Sequence, residues 1–293
     1  MQATCLPGWP PAGTQARVNT TMKPAEGTTL ACQCALPLSR QTLTFVAGLL
    51  RARLKKTGSR WRKLPPGKIA LIVLATLRHD HRLADMAGGN GVSASTISRW
   101  TWEITGLLAA RAPRLDRALA AIKKDGGEAV LLDGTLIPTR RRSGPANRGN
   151  YNGKHKKHGL LFLALTDETG NLIWISPAHR GAASEIRAAR QDRIASRLRT
   201  AGLGALADLG FTGLDPDPDD PVIITGRKST RTRKTTPAQR HANLALSAAR
   251  APAGHGFSDL KNWRILTRLR LNPGKATTVL RALLVLTRQH TTR

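Results

Sequence analysis

The feature that most constrains this chain is the stretch Ala129 to Pro138, Ala-Val-Leu-Leu-Asp-Gly-Thr-Leu-Ile-Pro. An apolar run, Ala129 to Leu132, delivers Asp133 at its end, and Thr135 and Ile137 continue the strand pattern until Pro138 closes it. Beyond Asp133 no acid occurs until Asp167, while Arg140, Arg141, Arg142, Arg148, Lys154, Lys156 and Lys157 accumulate. A lone carboxylate beside a basic loop suits the placing of a metal ion against a polyphosphate backbone. Taken alone, the simpler reading is a strand aspartate capping a turn.

Downstream of this stretch the chain alternates in the manner of an α/β domain. Gly159–Leu165 reads as a buried strand, Thr166–Asn171 as a hairpin turn, and Leu172–Ser176 as the returning strand. A helix is expected from Ser184 to Leu198, then a short strand from Gly204 that again ends on a carboxylate, Asp208. If the strands bearing Asp133 and Asp208 are neighbours, both side chains reach one edge, a geometry for holding Mg²⁺ through hard oxygen donors. The acidic loop Asp215–Asp220 is most simply a solvated turn. A strand at Val222–Thr225 comes next. Helices are expected over Pro237–Ala249, before Trp263, and over Lys275–Thr287.

Upstream the texture is helical. Leu43, Val46, Ala47 and Leu50 recur at helical spacing, and Ile69–Leu77 is apolar at helix length. A short helix at Arg82–Ala87, a turn at Gly88–Gly91 and a helix capped by Ser93 complete a helix-turn-helix layout. Small hydroxyl residues at the start of the second helix let its first turn approach phosphates and base edges. Ser93, Ser95, Thr96, Ser98 and Arg99 fit that role, with Val92 and Ile97 as core anchors and Trp100 and Trp102 as packing residues. The alternative is a helical bundle that never touches DNA. A connecting helix, Leu107–Leu119, is kinked or restarted at Pro113. The expected organisation is a loose leader over 1–38, a helical DNA-binding domain over 39–120 and a second domain over 128–290. A start at Met22 would remove most of the leader.

Charge selects the partner class. Lys and Arg total 47 against 18 Asp and Glu, a formal net charge of +29, which points to a polyanion through counterion release. Apolar runs fall short of the roughly 18 to 20 residues of a membrane span. Cys5, Cys32 and Cys34, with no CxxC, argue against a disulfide framework or zinc site and for a reducing, cytosolic setting. No secretory signal is evident at the N-terminus.

Four blocks in order resemble one family. They are Asp133-Gly134-Thr135, Tyr151-Asn152-Gly153-Lys154-His155-Lys156-Lys157-His158-Gly159, Ala207-Asp208-Leu209-Gly210-Phe211 and Leu260-Lys261-Asn262-Trp263-Arg264-Ile265-Leu266. Together they resemble the IS5-type transposases of bacterial insertion sequences, within the DDE superfamily that also covers Harbinger-like transposases. The resemblance spans about residues 40 to 290. It implies an RNase H-like mixed sheet flanked by helices and preceded by the helix-turn-helix. It also implies DNA cutting and joining through Asp, Asp and Glu with Mg²⁺ or Mn²⁺. Asp133 and Asp208 match the first two catalytic, metal-holding acids. Arg140, Lys154, Lys156, Lys157 and Lys261 would meet phosphates. The partners implied are terminal repeats and target DNA, engaged by a homodimer in the bacterial nucleoid.

The third acid departs from the family pattern. The expected Val-Glu-His type triplet is Ala253-Gly254-His255 here, so Gly254 stands where Glu is expected. Asp259 lies five residues on and should point elsewhere on a helix, and Glu185 could lend a weak ligand. His155, His158 and His255 show no metal-ligand spacing with a partner acid. The sequence supports two readings: a DDE transposase impaired at Gly254, or a catalytically inactive relative that still binds DNA. A basic RNA- or ribosome-associated protein would explain the charge but not the blocks around Asp133 and Asp208.

Overall fold

The apolar stretches become strands and helices at nearly the expected places in a computed structural model of the protein. It describes residues 35–59, 62–140, 145–215, 217, 219–232 and 234–291. The leader up to residue 34, all three cysteines, Arg141 and Arg142 lie outside the described residues.

The N-terminal part is helical. Helix α1 (Arg40–Lys56) begins at Ser39, whose hydroxyl accepts the Thr42 N–H, and α2 (Pro66–His79) places proline in its first turn, where no N–H is needed. Helix α3 (Leu83–Gly88) is short, and Gly91 turns the chain at φ 61° before α4 (Ala94–Ala109). Ser93 caps α4 by accepting the Thr96 N–H, as its hydroxyl predicts. The chain restarts past Pro113 as α5 (Leu115–Lys124).

Strand β1 (Ala129–Pro138) then opens a mixed sheet with β2 (Tyr151–Asn152), β3 (Lys157–Thr166), β4 (Leu172–Ile175) and β5 (His179–Arg180). Helices α6 (Glu185–Gln191) and α7 (Ile194–Ala201) precede β6 (Gly204–Ala207) and β7 (Ile223–Thr225), and α8 (Pro237–Lys261) and α9 (Pro273–Thr291) close the described chain. The strand order is β2-β3-β1-β6-β7, with β4 and β5 also paired to β3. The β1–β3 and β3–β4 pairs are antiparallel, whereas β6 lies parallel to β1 and β7 parallel to β6. This curled mixed sheet flanked by helices is compatible with an RNase H-like fold.

Alternation along β3 divides the core. Leu160, Phe162 and Ala164 join a cluster with α1, α2, α4 and α9, and Leu161, Leu163 and Leu165 join a second cluster with α5, α6 and α7. The N-terminal helices therefore share one apolar cluster with the sheet, and Lys275 of α9 lies 4.9 Å over the Trp102 ring of α4.

Two elements differ from the sequence expectation. The helix expected over 184–198 breaks at Arg193, which takes φ 55°, while His179 Nε2 holds Asp192 Oδ2 at 2.8 Å at the break. Conversely, α8 runs unbroken through Pro252. Its far half buries Ala253, Phe257 and Leu260, and this packing outweighs the hydrogen bond proline cannot make. The β3–β4 turn meets α8 closely: a Cβ on Gly170 would fall 2.3 Å from the Pro252 carbonyl oxygen, and Gly170 has φ +90°. Glycine alone permits both the approach and the turn.

Candidate active site

Two parallel strands bring the two aspartates side by side. The register pairs Leu132 of β1 with Ala207, the last residue of β6, so Asp133 within β1 and Asp208 just past β6 are the next residues along the two paired segments. Leu132 and Ala207 both pack into the α5–α7 cluster. Strand alternation therefore directs the aspartates to the opposite face, the layer of α8. Each accepts the N–H of the following residue: Gly134 N to Asp133 Oδ1 at 2.8 Å, and Leu209 N to Asp208 Oδ1 at 2.6 Å.

Glu185 reaches the same edge from α6. Its carboxylate fills the space over two glycines: a Cβ on Gly134 would lie 2.7 Å from Oε1, and one on Gly210 would lie 2.0 Å from Oε2. Side chains at 134 or 210 would displace it. Ser184 caps α6 by accepting the Arg187 N–H, so Glu185 opens the first turn of that helix. Burial pushes the Glu185 carboxyl above the usual carboxylate range; Lys154 and Arg250 oppose the rise, and Asp133 and Asp208 add to it. Burial likewise raises Asp133, against the Gly134 N–H and the charges of Arg250 and Lys261, with Asp208 adding to the rise.

On the other side stands α8. Arg250 Nη1 lies 3.6 Å from Asp208 Oδ1. Gly254 comes one turn later on the same helix and is exposed, and a Cβ there would meet nothing within 4 Å. Asp259 is not among the charges that shift Asp133 or Glu185; its charge acts on Arg78 of α2, whose pKa burial lowers.

The basic residues divide into groups. The Lys154 charge opposes the rise of the Glu185 pKa and the Lys261 charge that of Asp133, with no ion pair formed among the described residues. Lys156 (φ 50°) and Lys157 are exposed near the start of β3, and Arg140 is exposed just past β1. Ser93, Ser95, Thr96 and Arg99 stand together at the start of α4, where Arg99 Nη2 donates to Thr96 Oγ1 at 3.2 Å. Thr96 and Arg99 line a depression with Arg62 and Lys63. The His158 ring lies tilted against that of Tyr151, their centroids 5.2 Å apart. Sequence reasoning passes over Arg250 as a partner of Asp208; its place one helical turn before Gly254 is the available signal.

Comparison with protein families matches residues 132–288 to the DDE superfamily endonuclease family, a span that begins within β1, one residue before Asp133, and runs through most of α9. The chain belongs to the DDE superfamily endonucleases. Such a domain is of the DDE transposase type and implies DNA as the substrate. No curated protein and no solved structure matches the chain.

DDE superfamily endonucleases use divalent metals. Carboxylate oxygens are the right donors for a hard cation, yet among the described residues no three His, Cys, Asp or Glu side chains form a group that could hold a metal ion. The geometry gives the reason. Asp133 and Asp208 face α8, Glu185 lies over the Gly134 and Gly210 backbone, and Arg250 already touches Asp208. The donors present in this DDE endonuclease do not fit a complete two-metal site.

No helix among the described residues is long and apolar enough to cross a membrane.

Proposed function

We propose that this chain is an IS5-type insertion-sequence transposase that binds element ends and whose cutting and joining of DNA phosphodiesters is impaired at Gly254. The observation that carries this reading is the adjacency of Asp133 and Asp208, with exposed, unobstructed Gly254 on the facing helix. Asp133 and Asp208 are the remaining catalytic acids and metal ligands, and Mg²⁺ or Mn²⁺ is the ion they would take. Residues 39–120 act as the DNA-reading helices, with Ser93, Ser95, Thr96 and Arg99 entering the groove, and residues 128–290 act as the endonuclease domain. Arg140, Lys154, Lys156, Lys157 and Lys261 hold phosphates around the acids, in keeping with the net charge of +29. The protein works as a homodimer on DNA in the nucleoid.

The test is cleavage of the element's terminal repeats with millimolar Mg²⁺ or Mn²⁺, by the wild-type chain and by Gly254→Glu. Binding that weakens steeply with salt, with robust cutting only after the substitution, is the expected result. Robust cutting by the wild type would remove the impairment. Salt-independent binding would remove the DNA interface.

The second reading, an inactive DNA-binding relative, is favoured by the same glycine. It differs in one outcome: Gly254→Glu would bind the repeats without cutting them.

A further inference from the structure

The carboxylate cluster already has a cation, and the chain itself supplies it. The Arg250 side chain is 19% exposed while that of its partner Asp208 is 50% exposed, so the guanidinium reaches the acids from inside the protein. Its Nε is buried and has no hydrogen-bond partner among the described residues. Burying a charged group with a nitrogen unsatisfied is costly unless opposite charge compensates it. The compensating charge is at hand, because Asp208 touches Arg250 and both Asp133 and Glu185 feel its field. Guanidinium cannot deprotonate to relieve the arrangement, and its weak hydration suits it to a partly buried ion pair. The absence of a three-carboxylate metal group at this edge, among the described residues, is consistent with the same fact.

We propose that Arg250 is a built-in counter-cation, supplying the positive charge of the Asp133–Asp208–Glu185 cluster so that the site assembles without a divalent ion, and a divalent ion must displace Arg250 to enter. The proposal rests on the reading of this cluster as the DDE site. It is tested without DNA, so that a failure to cut leaves it standing.

The experiment titrates Mn²⁺ into the purified full chain, reading free Mn²⁺ by electron paramagnetic resonance, and measures melting temperature in Mg²⁺ and in EDTA. Arg250→Met is expected to bind Mn²⁺ about tenfold more tightly than wild type, because removing a like charge beside the ion favours its entry. Mg²⁺ should raise the melting temperature of Arg250→Met and leave that of the wild type unchanged. Arg250→Lys, which keeps the charge, should behave as wild type. Adding Asp208→Asn to Arg250→Met should abolish the gained binding and so locate it. Wild-type Mn²⁺ binding as tight as that of Arg250→Met, or a wild-type melting temperature that rises equally in Mg²⁺, overturns the proposal. Should Arg250→Met not fold, Arg250→Gln takes its place: Mn²⁺ binding tighter than that of the wild type supports the proposal, and binding no tighter than that of the wild type overturns it.

Discussion

Two groups of acids lie on either side of the turn Leu209–Phe211, and they are used in opposite ways. In the loop before β7, Asp215 accepts the Val222 N–H at 2.8 Å and the Asp217 N–H at 3.3 Å. Asp217 accepts the N–H groups of Asp219 and Asp220, and Arg199 reaches both Asp215 oxygens at 3.4 Å and the Asp220 carbonyl at 3.1 Å. The Asp215 side chain is only 5% exposed. At the strand ends, by contrast, Asp133 and Asp208 each accept one N–H, and Asp208 has Arg250 at 3.6 Å. A carboxylate offers about four acceptor positions. The loop acids commit theirs to their own backbone, whereas the strand-end acids keep most of theirs open. On the function proposed above, spare acceptor capacity is what sets Asp133 and Asp208 apart from the loop acids.

The largest test of that contrast is catalytic. In a Gly254→Glu protein that cuts terminal repeats, Asp133→Ala or Asp208→Ala should lower single-turnover cleavage by about a thousandfold or more. Asp217→Ala in the same background should leave the rate unchanged. A comparable loss from Asp217→Ala would erase the distinction.

Stability should run the other way. Asp215→Ala strands the Val222 and Asp217 N–H groups and frees Arg199, at a cost of about 1–3 kcal/mol in urea unfolding. Asp208→Ala should cost less, and equal costs would break the comparison.

Smaller again are the pH effects. Glu185 has a folded pKa raised chiefly by burial, so between the ordinary carboxylate value and that raised value the unfolded state loses its proton first. Stability therefore falls as pH rises through that interval, and Glu185→Gln should flatten the fall in melting temperature. The His179–Asp192 pair acts in a higher pH range. The Asp192 hydrogen bond is the main cause raising His179 above 6.5, so its stabilisation is complete below that value and fades as pH climbs through the folded pKa. Asp192→Asn should remove that dependence.

The smallest expected change is in DNA affinity. Lys154→Ala should reduce the slope of log affinity against log salt by about one phosphate contact. Substitutions in the acidic loop should leave the slope as it was.

Much of this arrangement is legible in the sequence because it is local. The apolar runs that end on Asp133 and Asp208, the Thr166–Asn171 turn and the Ser93 cap each arise from side chains a few residues apart. The parallel pairing that joins the two aspartates is only a condition there, since register between distant strands depends on the whole sheet. Tertiary packing decides the rest. His179 holds Asp192 where the helix expected over 184–198 breaks, and the buried far half of α8 carries it through Pro252. In sequence Arg250 is one basic residue among many, because its neighbour Asp208 is distant along the chain and adjacent only once α8 lies across the sheet. Glu185 reads there as no more than a weak ligand; that it fills the notch over Gly134 and Gly210 needs the strands and α6 together.

The most direct measurement compares three chains on one DNA: wild type, Gly254→Glu and Gly254→Gln, each assayed for Mg²⁺-dependent cleavage of the terminal repeats. Glutamine reproduces the size of glutamate without its charge, and nothing lies within 4 Å of a Cβ at this position to oppose either. Cutting by Gly254→Glu alone is expected, because the proposed site has Asp133 and Asp208 in place and lacks a carboxylate at position 254. Equal cutting by the wild type, or by Gly254→Gln, would contradict it.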